Sequence, residues 1–310
     1  MNSVETKTLV LGAFALGLAA LLPLSNNGYL ISLGVTVAMY TVLATSWAMF
    51  SGPTHYISLA TGAFYGVGTY VVALGIDHIP YAVLLLLALG AGALLAALVG
   101  LVTLRLSGVY FVIFTLGLAE MIRQIVTWVQ NNLSGHRGLY VLTDITEEII
   151  YWELLVVAGL VYLLGWWIGR SRLGFALLII GNDEQVAAHC GINTARSKVI
   201  LFVVSGMVAS LTGAVLAPRW TYIEPSLAFS AMLSFQVVIM ALLGGAGRLW
   251  GPVLGVIPFT LLWEVISAQF PNQTTLLLGI AFLLIVFAIP DGVAGHMETL
   301  LRYLRERRAS

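Results

Sequence analysis

Apolar residues run along this chain in long blocks separated by brief polar punctuation, rather than in the short alternation of half-buried strands. A helix that crosses about 30 Å of hydrocarbon at 1.5 Å per residue needs about 20 mostly apolar residues. Ten blocks come close: 9–24, 28–50, 62–76, 80–104, 108–129, 150–168, 199–217, 230–246, 250–268 and 274–290. The third and eighth are short and rich in glycine, so either can be a broken or re-entrant helix, and eight to ten spans are expected. The pattern predicts an all-α polytopic membrane protein, one transmembrane domain over 1–310 with a terminal tail at 291–310. The longest connections, 130–149 and 169–198, are too short to form separate soluble domains.

Composition agrees with a lipid solvent. Hydrophobic residues make up 60% of the chain and charged ones 9%, against about 25% charged in ordinary soluble proteins. Mean hydropathy is +0.98. Fourteen basic and fourteen acidic residues cancel, so no net field recruits nucleic acid. A cleaved signal peptide wants a more basic start than Met1–Thr8, which carries Glu5 and Lys7, and the block at 9–24 reads as a first span.

Lys and Arg orient the chain, because they stay on the cytoplasmic side. With all ten blocks crossing and the N-terminus inside, eleven fall inside: Lys7, Arg105, Arg170, Arg172, Arg196, Lys198, Arg248, Arg302, Arg305, Arg307 and Arg308. Two fall outside, Arg137 and Arg219, and Arg123 lies within the fifth block. Both termini are therefore expected in the cytoplasm, 169–198 inside and 130–149 outside.

Catalytic motifs are missing. The two lysines follow Thr6 and Ser197, so no P-loop exists; no H-E-x-x-H or G-x-S-x-G occurs. Gly245-Ala-Gly247 with Gly251 mimics a dinucleotide fingerprint but follows a membrane block, not a strand. One cysteine, Cys190, excludes an internal disulfide. No metal site and no cofactor are expected on this chain.

Ionisable residues within a membrane mark function by default. Glu120 and Arg123 stand three apart on one helix face, either as a structural ion pair or as a polar lining of a transport route. Glu264 has no charged neighbour within a turn and is protonated, interfacial or paired with another helix. Glycines open the third block (Gly62, Gly66, Gly68) and close the eighth (Gly244, Gly245, Gly247). They permit close packing or mark helix breaks beside a pathway, where Thr54, Ser58 and Thr61 offer hydroxyls. The candidate route is therefore Thr54, Ser58, Thr61, Gly62, Glu120, Arg123, Gly244 and Gly245. In the 169–198 connection, Asp183 and Glu184 favour a helix start and Gly191 a stop, which predicts a short helix over about 184–190.

Four stretches in order, GPTHYISLATGAFYGVGTY (52–70), LSGVYFVIFTLGLAE (106–120), NDEQVAAHCGINTARSK (182–198) and LLGGAGRLWGPVLG (242–255), make the chain resemble a permease subunit of the branched-chain amino acid ABC importers. The resemblance implies alternating access in a bacterial inner membrane, with no enzymatic activity on this chain. It also implies two ATP-binding subunits that hold the ATP, a second and paralogous permease subunit, and a soluble substrate-binding protein. The 182–198 stretch is similar to the family's coupling loop, which gives Glu184, Ala188, Gly191, Asn193 and Lys198 as coupling residues. Against the family's habit, Phe175 and Gly181 stand where arginine is common, His55 where glycine is frequent, and Thr61 where histidine or glutamine is. Urea, short amides and, more distantly, sugars are other solutes of the family. A self-sufficient secondary transporter or channel is the reading from a different class.

Overall fold

The computed structural model describes residues 17, 19–25, 27–104, 106, 108–134 and 137–274, with single positions between 276 and 295. Most of the first and tenth blocks and nearly all of the tail 291–310 lie outside the described residues.

Eight of the ten blocks coincide with helices. They are α1 (Gly28–Thr54), α2 (Thr61–Gly75), α3 (Tyr81–Thr103), α4 (Val109–Val129), α5 (Glu147–Arg170), then α6 (Arg172–Asn182) and α7 (Glu184–His189) in the long connection, and α8 (Thr194–Leu216), α9 (Pro225–Ala228), α10 (Ala231–Gly244) and α11 (Gly251–Gln269). Among the described residues seven helices are long and apolar enough to cross a membrane, with α9 and α10 counted as one and α2 too short. The chain is mostly helical rather than wholly so. A two-residue antiparallel ladder, β1 (Leu139–Tyr140) with β2 (Tyr222–Ile223), ties two connections together. Strands this short leave no periodicity to read.

Each of the two short blocks begins at a break in the helix. After α1, residues 55–60 run without helix back along it, and Trp47 Nε1 donates to Ser58 O at 2.8 Å. Trp47 lies seven residues before Thr54, about 10 Å back along the helix, so α2 begins deep within the molecule. Ser58, Leu59 and Ala60 are buried; such irregular backbone is tolerable at membrane depth only where protein covers it. The other break falls at Phe229–Ser230, between α9 and α10.

Small residues bring α2, α3 and α8 together. A Cβ on Gly68 would stand 1.7 Å from Ser210 O, and one on Gly213 would stand 2.0 Å from Tyr65 O. Nothing but glycine fits at either position. The contact is sealed by polar bonds, Ser210 Oγ to Ala88 O at 2.7 Å and Thr69 Oγ1 to Gly213 O at 3.1 Å, as small residues and hydroxyls hold helices in lipid.

The helix ends sort into two sets. At one end Arg219, just past α8, bonds Glu147 at the start of α5 and Ser32 in the first turns of α1. Glu147, the first residue of α5, is thereby an ion-pair partner of Arg219. The other end collects the C-termini of α1 and α3, the N-terminus of α8, and α6 and α7.

Candidate functional site

The connection 171–193 is more ordered than a loop. Ser171 caps α6 through its hydroxyl to Gly174 N at 3.3 Å, and Asp183 caps α7, its Oδ1 accepting from Gln185 N and Val186 N at 2.8 and 3.1 Å. The short helix runs 184–189, close to expectation, and Gly191 follows it at φ 79°. The helix α6 was not foreseen: its apolar run, Gly174–Ile180, buries Leu177 and Ile180. Position 181 has no room for a larger residue, because a Cβ on Gly181 would meet Pro53 O at 2.0 Å. His55 takes φ 57°, the one non-glycine residue with positive φ among the described residues. That conformation is natural to glycine, and here a bond between His55 Nδ1 and Gly181 O at 2.9 Å helps hold it.

The five coupling residues divide by direction. Glu184 and Lys198 turn inward and bond to each other at 2.6 Å. Lys198 is 2% exposed; its Nζ also donates to Leu104 O at 3.4 Å and to Tyr56 Oη at 3.3 Å, and lies 4.5 Å from the Tyr56 ring centroid. Tyr56 in turn donates to Glu184 Oε2 at 2.8 Å. One ammonium thus joins α7, α8, the end of α3 and the start of the non-helical segment 55–60. Partial burial pulls the Glu184 carboxyl up, but the bonds from Lys198 and Tyr56 outweigh it and hold it below the usual range. Burial and then the bond to Glu184 push the Tyr56 hydroxyl up, so it remains a donor. Asn193 caps α8, its Oδ1 accepting from Arg196 N at 3.0 Å. Ala188 and Gly191 are exposed, next to exposed Val186 and His189. With Ala187 fully buried beneath, α7 has a fixed inner side and an open outer one.

The route residues also separate. Gly62 N donates to Ser234 Oγ at 2.8 Å, and a Cβ on Gly62 would lie 2.6 Å from Ser230 O. The start of α2 therefore meets the break before α10, and Leu59 N donates to Thr115 Oγ1 of α4 at 3.1 Å. Thr54 spends its hydroxyl on Phe50 O at 2.6 Å, and Ser58 Oγ accepts from Ala60 N at 3.3 Å. Thr61 is buried at the first position of α2. Gly244 and Gly245 lie elsewhere, at the turn into α11, where a Cβ on Gly244 would meet Gly251 O at 2.1 Å. They serve close packing, and the break in the eighth block lies at its other end.

Glu120 and Arg123 do pair, with Arg123 Nε 2.9 Å from Glu120 Oε2 and a second contact from Nη2 to Oε1. Gln124 Nε2 adds a bond to Glu120 Oε1 at 3.0 Å. Their side chains are 29% and 44% exposed for Arg123 and Glu120, on a helix that buries only Phe111, Thr115 and Ala119. No side-chain bond joins them to Thr54, Ser58, Thr61 or Gly62. Glu264 accepts a long bond of 3.4 Å from Tyr29 Oη and is exposed. Sequence reasoning missed Tyr56 and Leu104, whose parts become visible only when the helix ends come together. Among the described residues no three His, Cys, Asp or Glu side chains are grouped to hold a metal.

The chain is 23% identical to the high-affinity branched-chain amino acid transport system permease protein LivH of Escherichia coli K12, over 86% of this chain and 94% of LivH. It is 24% identical to LivM of the same organism, over 85% of this chain and 69% of LivM. A shorter stretch, 33% of this chain and 32% of the relative, is 32% identical to the L-arabinose transport system permease protein AraH of E. coli K12. No solved structure matches it. A multi-pass membrane protein and a non-enzymatic transport subunit without a cofactor of its own, the chain belongs to the family described as "Branched-chain amino acid transport system / permease component", whose pattern it matches over residues 29–289.

Proposed function

We propose that this chain is the permease of an ABC importer for branched-chain amino acids, working by alternating access. Two ATP-binding subunits dock on the end that carries α6 and α7, a second permease pairs with this one, and a soluble binding protein delivers solute to the opposite end. The Lys and Arg bias supports a cytoplasmic position for α6 and α7 and for both termini. The observation that carries the reading is the family match over 29–289, with similarity to LivH along nearly its whole length.

The geometry supports the coupling role of 169–198. The outer side of α7 offers Val186, Ala188 and His189 to a groove on the ATPase. Its inner side, through Glu184, Lys198 and Tyr56, connects a displaced helix to α8 and to the non-helical segment 55–60. Glu184 and Lys198 are then transmitting residues and Ala188 and Gly191 contact residues, while Asn193 fixes the start of α8. The meeting of the two helix breaks at Gly62 and Ser230 supports a solute path between α2, α4 and α10, since transporters build their sites where helices are broken. The local likeness to AraH keeps a sugar as the second reading.

Gly191→Val tests the coupling assignment. Its Cβ meets nothing within 4 Å, so the change costs about 1–2 kcal/mol of backbone strain without disturbing the membrane core. Abundance in the membrane is expected near normal, with reduced co-purification of the ATPases and reduced ATP-driven leucine uptake. Intact co-purification together with intact uptake overturns the coupling role, and uptake of arabinose in place of leucine selects the second reading.

A further inference from the structure

A second polar feature stands apart from the coupling end. Near the end that carries β1 and β2, a cleft of about 290 Å³ opens between α2 and α4. Val67 and Val71 of α2 and Val126 and Val129 of α4 line it, with Tyr70 and Gln130. Gln130 is 4% exposed, and its Oε1 accepts from Tyr70 Oη at 2.8 Å. Its Nε2 has no partner. Turning the amide over leaves the other polar atom unpaired instead, so one end of Gln130 is orphaned either way. A buried polar group without a partner is rare, and a ligand able to bond it removes the desolvation penalty.

The volume is at the lower limit of small-molecule sites, which are mostly apolar with a few placed polar groups. It suits one aliphatic side chain better than a larger solute. Gln130 directly follows α4, at the start of a π-helical turn over Gln130–Ser134. The geometry points to this cleft as a subsite of the transport domain for an aliphatic amino acid. The branched side chain packs on the four valines and a carboxylate oxygen accepts from Gln130 Nε2. The inference rests on the proposed transport of branched-chain amino acids. The same apolar walls also suit a lipid acyl chain, and the experiment is built to separate the two.

Photo-leucine, an aliphatic amino acid carrying a diazirine, is irradiated with the full permease–ATPase complex in lipid nanodiscs, and labelled peptides are read by mass spectrometry. Label is expected within 67–74 or 125–130, reduced at least fivefold by excess leucine and unchanged by the same concentration of glycine. Gln130→Leu is expected to raise the leucine concentration needed for competition about tenfold. Absence of leucine-competed label at both peptides in the wild-type complex overturns the subsite, whatever the variant does. Label from a diazirine-bearing phosphatidylcholine at those peptides, undiminished by leucine, assigns the cleft to lipid and overturns it too. ATP-driven leucine uptake, measured after the same complex is reconstituted with its binding protein in sealed proteoliposomes, is a separate readout: its absence overturns the transport reading, whereas uptake without competed label overturns the subsite alone.

Discussion

Two ion pairs in this protein share their chemistry and differ in reach. Glu120 and Arg123 are neighbours on one turn of α4 and would meet in any helix of that sequence, on a side the rest of the chain barely covers. Glu184 and Lys198 lie on different helices, and Lys198 is sealed among α3, α8 and Tyr56. The first pair is local neutralisation, which makes a charged helix tolerable in the membrane. The second is a tertiary tie: it exists only if four pieces of chain arrive together, and it leaves one charge with no access to water. An ion pair adds to the coherence of a fold through what it joins, not through its Coulomb energy alone.

The largest expected effect comes from breaking the tie. Removing one partner of a fully buried pair costs about 3–5 kcal/mol. Glu184 keeps a side chain 38% exposed, so water reaches the orphaned carboxylate and about 1–2 kcal/mol is expected for Lys198→Met. In the purified complex this should lower the thermal midpoint by several degrees, and uptake should fall at least tenfold. Adding Glu184→Gln should recover part of the loss, because coupled sites are not additive. An additive double variant would show that the two charges act independently.

Glu120→Gln sharpens the contrast. A partly exposed i,i+3 pair is worth about 0.2–0.5 kcal/mol, so the thermal midpoint should scarcely move. If the open side of α4 borders the solute route, uptake should still drop several-fold. A fall in midpoint as large as that of Lys198→Met would erase the distinction between the pairs.

The smallest effect is a pH dependence. The Glu184 carboxyl is held below its ordinary value of 4.5, so the stability it contributes is complete above that value and is lost as pH falls through the depressed one. The difference in thermal midpoint between wild type and Lys198→Met should therefore stay constant from pH 8 to pH 5 and shrink only below about 4.3. Convergence already near pH 6 would mean that the carboxyl is not stabilised by the lysine.

Much of this architecture is legible in the sequence. Eight hydrophobic blocks became helices because span length is set by bilayer thickness, which a single sequence records directly. The helix over 184–189, its Asp183 cap and its Gly191 terminator are local, and local preferences need no tertiary help. Glu120 and Arg123 found each other for the same reason. The sequence by itself thus determined a multi-pass helical protein, the shortness of two of its blocks, and the family its four stretches resemble.

Other features depend on distant residues. The sequence left the eighth block open as a broken or re-entrant helix; its glycines at 244 and 245 mark a tight turn, while the break falls at Phe229–Ser230 beside Gly62. Small residues fit both packing and breaks, and only the neighbour decides which. The sequence counted Lys198 among the cytoplasmic cations and the coupling residues, and only the structure shows it buried, because Tyr56 and Leu104 come from chain 142 and 94 residues away. Gln130 read as the start of a polar loop, until Tyr70, 60 residues earlier, closed over it. Helix formation is governed by contacts three or four residues apart, which the sequence displays. The burial of a charge, or the orphaning of an amide, is governed by partners that only the packed helices bring within reach.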